Sequence, residues 1–126
     1  MPKFVPKRPG LEAGDLPFST LIEANRFVFL AGQVGNLPGT HGAAPGGIEA
    51  ETRAMLDNVG RKLGAVGLDY RDVVRCTVYL RDFGDFAVMN EIYRTYFPSD
   101  PPTRTTVGVS GLAEDYTIEI EVTAAR

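Results

Sequence analysis

The sequence predicts an α+β fold, a single mixed six-stranded sheet with two helices on one face. Three observations point there. Two stretches with helical periodicity, residues 48–66 and 85–97, lie among short runs that are rich in β-branched residues and alternate in polarity. Their order is strand, strand, helix, strand, helix, strand, strand, with one further short strand near residues 3–5. Two helices can cover one face of such a sheet, which leaves the other available for oligomerisation. At 126 residues the chain is expected to form a single domain.

Pro2, Pro6 and Pro9 make the N-terminus an extended arm, and residues 6–17 read as a loop. Thr20 to Glu23 and Arg26 to Leu30 read as strands joined by a turn at Ala24-Asn25. The second has apolar residues on both faces, so both are expected to be covered. Gly35 to Gly47 is rich in glycine and proline and is expected to be a mobile surface loop. In the first helix Ile48, Thr52, Leu56, Val59, Leu63 and Val66 share one face, and Gly67 ends it. Gly60 and Gly64 weaken a helix, which suggests a backbone packed close to the sheet. Val73 to Arg81 reads as a strand with Val74, Cys76, Val78 and Leu80 inward and Arg75, Thr77, Tyr79 and Arg81 on the opposite face. Asp85 to Phe97 reads as the second helix, stopped by Pro98.

Composition excludes several function classes. The net charge of -3 and a pI near 5.1 give no basic surplus for a phosphate backbone, so nucleic acid is not an expected partner. No apolar run could span a bilayer and the N-terminus does not resemble a signal peptide, so a cytoplasmic location is expected, with no membrane partner. Cys76, the single cysteine, reads as a core residue, and His41, the single histidine, as an exposed loop residue. One of each makes a metal site unexpected. The glycine-rich loop lacks the Gly-Lys-Ser/Thr of a phosphate-binding loop, and Asp82-Phe83-Gly84 stands without the other kinase motifs.

The most informative segment is Pro102-Thr103-Arg104-Thr105-Thr106-Val107, followed by Ile118-Glu119-Ile120-Glu121. Both read as strands. Alternation puts Arg104 and Thr106 on one face of the first, and sets Glu119 and Glu121 against the apolar Ile118, Ile120 and Val122 of the second. An arginine fork and a carboxylate are thus expected on one polar surface with Arg75 and Tyr79. The first can hold a carboxylate or phosphate, and the second can position or deprotonate a water. Exposed Arg and Glu are more often simple cross-strand partners, and periodicity alone does not separate the two readings.

The surrounding pattern does. The run P-T-R-T-x-V-x-V-x-G-L with the later I-E-I resembles the C-terminal signature of the reactive intermediate/imine deaminase family, RidA, also called YjgF or L-PSP. Ala31-Gly32-Gln33, Leu56-Asp57-Asn58, Gly67-Leu68, Val78-Tyr79-Leu80-Arg81-Asp82, and Asp85-Phe86 with Asn90 and Tyr93 fit in the family's order. The resemblance spans residues 16–126. It implies a chorismate mutase-like fold and a homotrimer with a barrel-like centre, with ligand sites between subunits. It also implies hydrolysis of small 2-imino or 2-enamino acids to 2-oxo acids and ammonia, without a cofactor. On this likeness Arg104 clamps the substrate carboxylate and Glu119 positions the attacking water. Backbone groups near Gly32 and Thr106 complete the pocket, and Asn90 matches a residue near it. Ala31, Thr106 and Phe18 depart from the Ser, Cys and Tyr that relatives often carry, which leaves substrate preference open. Two other readings of the same cleft stay open: a regulator that binds a small metabolite without turning it over, and an RNA-cleaving or chaperone-like role.

Overall fold

The computed structural model describes residues 2–126. Five strands run through it: β1 (Leu21–Ala24), β2 (Phe27–Val34), β3 (Val73–Leu80), β4 (Thr103–Gly108) and β5 (Ile118–Ala125). Helix α1 (Gly47–Gly64) joins β2 to β3, and α2 (Phe86–Tyr96) joins β3 to β4. The sheet order is β1-β2-β5-β3-β4, mixed, with β3 and β4 parallel and every other pair antiparallel. The parallel pair follows from its connection, since a crossover long enough to hold a helix returns the chain in the same direction. Among the described residues no sixth strand forms. Residues 3–5 contribute one isolated bridge, Phe4 to Glu23, at the outer edge of β1.

Both helices lie on the same face, as the apolar periodicity requires. Met55, Leu56, Val59 and Leu63 of α1 and Met89, Ile92 and Tyr93 of α2 bury against Val28, Leu30, Cys76, Val78, Leu80, Ile118, Ile120 and Val122. The other face is open. On it Phe27 and Phe29 remain 44% exposed each, so β2 is covered on one side only within this chain, contrary to the sequence reading.

Four local expectations are corrected. The β1–β2 turn is centred on Asn25 and Arg26, with φ of 50° and 69°, one residue later than expected. This is the left-handed pair that a two-residue hairpin needs to match strand twist. In β3 the register shifts between Val73 and Arg75, so Val73 is buried and Val74 is exposed. Alternation cannot foresee a bulge. Gly60 makes room for the Tyr70 hydroxyl rather than for a sheet, and Gly64 has nothing near its missing side chain. The segment 35–47 is tied down: Ala44 N–H donates to Gly35 O at 2.8 Å, Gly42 N–H to the Tyr116 hydroxyl at 3.0 Å, and Ala43 N–H to Asp115 Oδ1 at 2.9 Å.

Glu51 holds the start of β5. Its carboxylate, on α1 and only 3% exposed, accepts from Thr117 N–H at 2.7 Å, from Ile118 N–H at 3.3 Å and from the Thr117 hydroxyl. Charge-assisted bonds of this kind let a buried carboxylate be tolerated without a cation. Glu51→Ala is expected to cost about 3 kcal/mol, because two backbone N–H groups lose their acceptor in a closed site. Chemical denaturation of the variant measures it, and a change below about 0.5 kcal/mol contradicts this role for Glu51.

Candidate active site

Arg104 sits on the edge strand β4 and Glu119 near the start of β5, with β3 between them. Residues paired across adjacent strands point to the same face. Arg104 pairs with Cys76 and Thr106 with Val78, and Cys76 and Val78 are buried under the helices. Glu119 pairs with Tyr79, and Glu121 with Thr77, on the open face. Arg104 and Glu119 of one chain therefore point to opposite faces of the sheet. Their expected common surface does not exist within a single copy.

Each nevertheless lines a cleft. The Arg104 cleft, about 620 Å³, is walled by Asn90 and Tyr93 of α2 and by Phe97, Pro98, Pro101 and Pro102. The prolines stop α2 and extend the chain, so no helix closes over the edge strand. The Arg104 guanidinium lies 4.6 Å over the Tyr93 ring and 5.6 Å from the Phe86 ring. Such stacking stabilises a cation by about 0.5–2 kcal/mol while leaving its in-plane N–H donors free. Arg104 forms no ion pair among the described residues. A half-buried arginine held by rings and unpaired with an acid is suited to receive an external anion.

Behind it, burial pushes the Cys76 thiol up to about 11, against smaller opposing effects from Tyr93 and Arg104. The same burial raises the Tyr93 hydroxyl. Cys76 is thus a neutral core thiol, as its place in the strand suggests, and no thiolate nucleophile is present. The Thr106 hydroxyl is buried on the Arg104 side with no hydrogen-bond partner. His41 is exposed in its loop.

The Glu119 cleft, about 860 Å³, brings in Phe18, Ala31 and Gly32, with Leu16, Pro17 and Ile22 beside them. Its geometry depends on a bulge in β2. Between Leu30 and Gln33 that strand advances three residues while β5 advances two, from Val122 to Ile120. Gln33, 8% exposed, pins the extra residue by donating from Nε2 to Ala31 O at 3.0 Å. The Glu119 carboxylate then fills the space where a side chain at Gly32 would stand. Gly32→Ala is expected to push that carboxylate aside while the melting temperature changes little. A crystal structure of the variant with the Glu119 carboxylate unmoved contradicts the placement.

Burial, and then the charge of Glu121, hold the Glu119 carboxyl above its ordinary value of 4.5. Because the raised group binds a proton more readily folded than unfolded, its contribution to stability is fullest at low pH. It declines as pH rises through the folded-state value. The protonated form is thereby available at higher pH than for a free glutamate, which suits a group that both takes and returns protons.

Sequence reasoning missed Gln33, Glu51 and the Phe86–Tyr93 support for Arg104. Ala31-Gly32-Gln33 was visible as a motif, but its bulge was not. Among the described residues, no cluster of three or more His, Cys, Asp or Glu is placed to hold a metal ion. No helix among them is long and apolar enough to cross a membrane.

Residues 12–126 match the model of the family described as Endoribonuclease L-PSP. The chain belongs to this family, RidA/YjgF. A RutC family protein of Pyrococcus horikoshii is 44% identical over 110 residues, covering 87% of each chain. The 2-iminobutanoate/2-iminopropanoate deaminase of Mus musculus is 38% identical over 110 residues, covering 87% of this chain and 82% of that protein. Among solved structures, E. coli TdcF with bound serine superposes with a TM-score of 0.83 at 32% identity, over 93% of this chain and 94% of that one. The RidA/YjgF family thus includes imine deaminases, and the two helices and mixed sheet are its fold.

Proposed function

We propose that the protein is a hydrolytic deaminase of small 2-imino or 2-enamino acids, and that its active site forms between copies of the chain. The carrying observation is that one chain presents two complementary half-sites facing away from each other: an unpaired guanidinium in one cleft, a carboxyl of raised pKa in the other. Arg104 of one copy beside Glu119 of the next supplies both. Support for self-association lies in the open face, with Phe27 and Phe29 exposed, and in β4, an edge strand with one side of its backbone unpaired. A closed ring of such head-to-tail contacts is the homotrimer that the family resemblance implies.

In this reading Arg104 takes the substrate carboxylate, with the Asn90 amide beside it, and thereby fixes the imine carbon. Phe18, Ala31 and Gly32 form the facing wall. Glu119 accepts a proton from a water as the oxygen adds to the C=N carbon, and the nitrogen becomes an amine. Return of the proton to the nitrogen makes it a leaving group, and as it departs the adduct's hydroxyl oxygen closes to a carbonyl and gives up its own proton, so that one protonated imine and one water yield one 2-oxo acid and one ammonium. An iminium carbon is already electrophilic. The protein need only orient, hold charge and move protons, and no cofactor enters this scheme.

The deciding assay follows ammonia release from the imine of 2-aminobutanoate generated in situ. Acceleration over buffer is expected, and its absence at all protein concentrations contradicts the proposal. A pH dependence also follows. Activity needing ionised Glu119 falls on the acid side through a limb above the ordinary carboxylate value of 4.5, and Glu121→Gln moves that limb to lower pH by removing the neighbouring charge. An unmoved limb in the pH profile contradicts the assignment of the titrating group. The RNA-cleaving reading gains no support from a chain of net charge -3 whose second cleft centres on a carboxyl.

A further inference from the structure

Away from the clefts of Arg104 and Glu119, a cavity of about 310 Å³ opens between the end of α1 and the loops that carry Gly10 and Asn36. Asn58, Arg61 and Lys62 line it from the helix, Asn36 from the facing loop and Gln33 from the end of β2. No carboxylate does. Residues three and four apart share a helix face, so spacing alone brings Asn58, Arg61 and Lys62 together. Asn58 then fixes that corner: its Nδ2 donates to Val34 O at 2.8 Å and to Asn36 O at 3.1 Å, and its Oδ1 accepts from the Arg61 guanidinium. The arginine is thereby held by an amide rather than by an acid. On the outer side, an added Cβ at Gly10 or Gly39 would meet nothing within 4 Å, which leaves the mouth open.

Two cations stand here without a counterion. Among the described residues neither Arg61 nor Lys62 forms an ion pair. Glu12, an acid whose charge acts on Lys62, is itself exposed and accepts from Gly10 N–H at 2.6 Å. Lys62 is half-buried, and burial, followed by the charge of Arg61, lowers it from its ordinary 10.5 against the opposing pull of Glu12. Basic residues in a last helical turn do complement the helix dipole. That role is met from open water, however, and asks neither for burial of the ammonium nor for two like charges on one cavity. An anion between them relieves the repulsion and replaces the lost solvation.

We propose that this cavity binds a small phosphate monoester, with its phosphoryl group between Arg61 and Lys62 and its organic body toward Gln33 and Asn36. A guanidinium fork matches two phosphoryl oxygens, an ammonium adds a point charge, and carboxamides can both donate to and accept from hydroxyls of the body. A dianion answers two cations, whereas a simple carboxylate answers one. The volume is at the lower end for small-molecule pockets, which suits a metabolite of few carbons. Neither cation lines the clefts of Arg104 and Glu119, so the site stands or falls apart from the deaminase reading.

The test is calorimetric titration of the whole protein with glycerol 3-phosphate, inorganic phosphate and glycerol at constant ionic strength. Expected is saturable binding of both phosphates at one site per chain and none of glycerol. Arg61→Gln and Lys62→Gln should each weaken it about tenfold or more, the scale of losing a hydrogen bond to a charged group, while imine turnover and melting temperature stay near wild type. Arg104→Ala should leave it unchanged, and the side-chain amide NMR signals of Gln33, Asn36 and Asn58 should shift on titration. Absence of saturation at about 10 mM phosphate overturns the proposal. So does binding that Arg104→Ala abolishes and Arg61→Gln spares, since the anion then occupies the other cleft. Should Lys62→Gln fail to fold, the exposed Arg61 and the amide signals carry the decision alone.

Discussion

Arg104→Ala is expected to weaken substrate and 2-oxo acid binding by ten- to a hundredfold or more, with stability lowered only by the loss of its stacking on Tyr93 and Phe86. The magnitude is that of hydrogen bonds to a charged group, about 1.5–3 kcal/mol. Little of it should reflect stability, because the guanidinium has no carboxylate of its own to abandon among the described residues. The loss should appear in KM and in the Kd for pyruvate. Arg104→Lys should recover only part of it, since an ammonium cannot present two parallel donors while stacked on Tyr93 and Phe86. Calorimetric titration of pyruvate into both variants checks this, and unchanged affinity in Arg104→Ala removes the arginine from the site.

Glu119→Gln should leave binding close to wild type and slow turnover by about 10² to 10⁴, the usual contribution of a positioned general base. The amide keeps the shape that fills the space over Gly32, so the bulge and the sheet register have no reason to change. It cannot take a proton from water. Single-turnover measurements separate this from a binding defect, and equal rates in variant and wild type would falsify the role of Glu119.

Within single elements, much was legible from the sequence. Apolar residues three and four apart in α1 and α2 mark the faces that are buried, and Ile118, Ile120 and Val122 point inward as alternation requires. Relations between elements were much less so. Nothing local in Thr103–Gly108 tells that it runs parallel to β3 with Arg104 beside Cys76. An arginine on an inner face runs against the usual polarity rule, and it is accommodated because α2 ends short of the edge strand and offers rings instead of aliphatic side chains. The bulges at Ala31-Gly32 and at Val74 escaped for a related reason: one extra residue flips every later side chain, and only the partner strand defines it. The site residues named from the family pattern fall in two clefts, Arg104 and Asn90 in one and Phe18, Ala31, Gly32 and Glu119 in the other, and Thr106 lies on the side of Arg104.

Subunit mixing probes the shared site most directly. Arg104→Ala and Glu119→Gln, each nearly inactive alone at substrate well below the wild-type KM, are unfolded together in equal amounts, refolded and assayed for ammonia release at that concentration. If each site draws its guanidinium from one copy and its carboxyl from another, random assembly leaves both groups intact in one site of every four, and activity should return to roughly a quarter of wild type. Refolded mixtures no more active than either variant alone, with wild type recovered under the same conditions, would contradict the account.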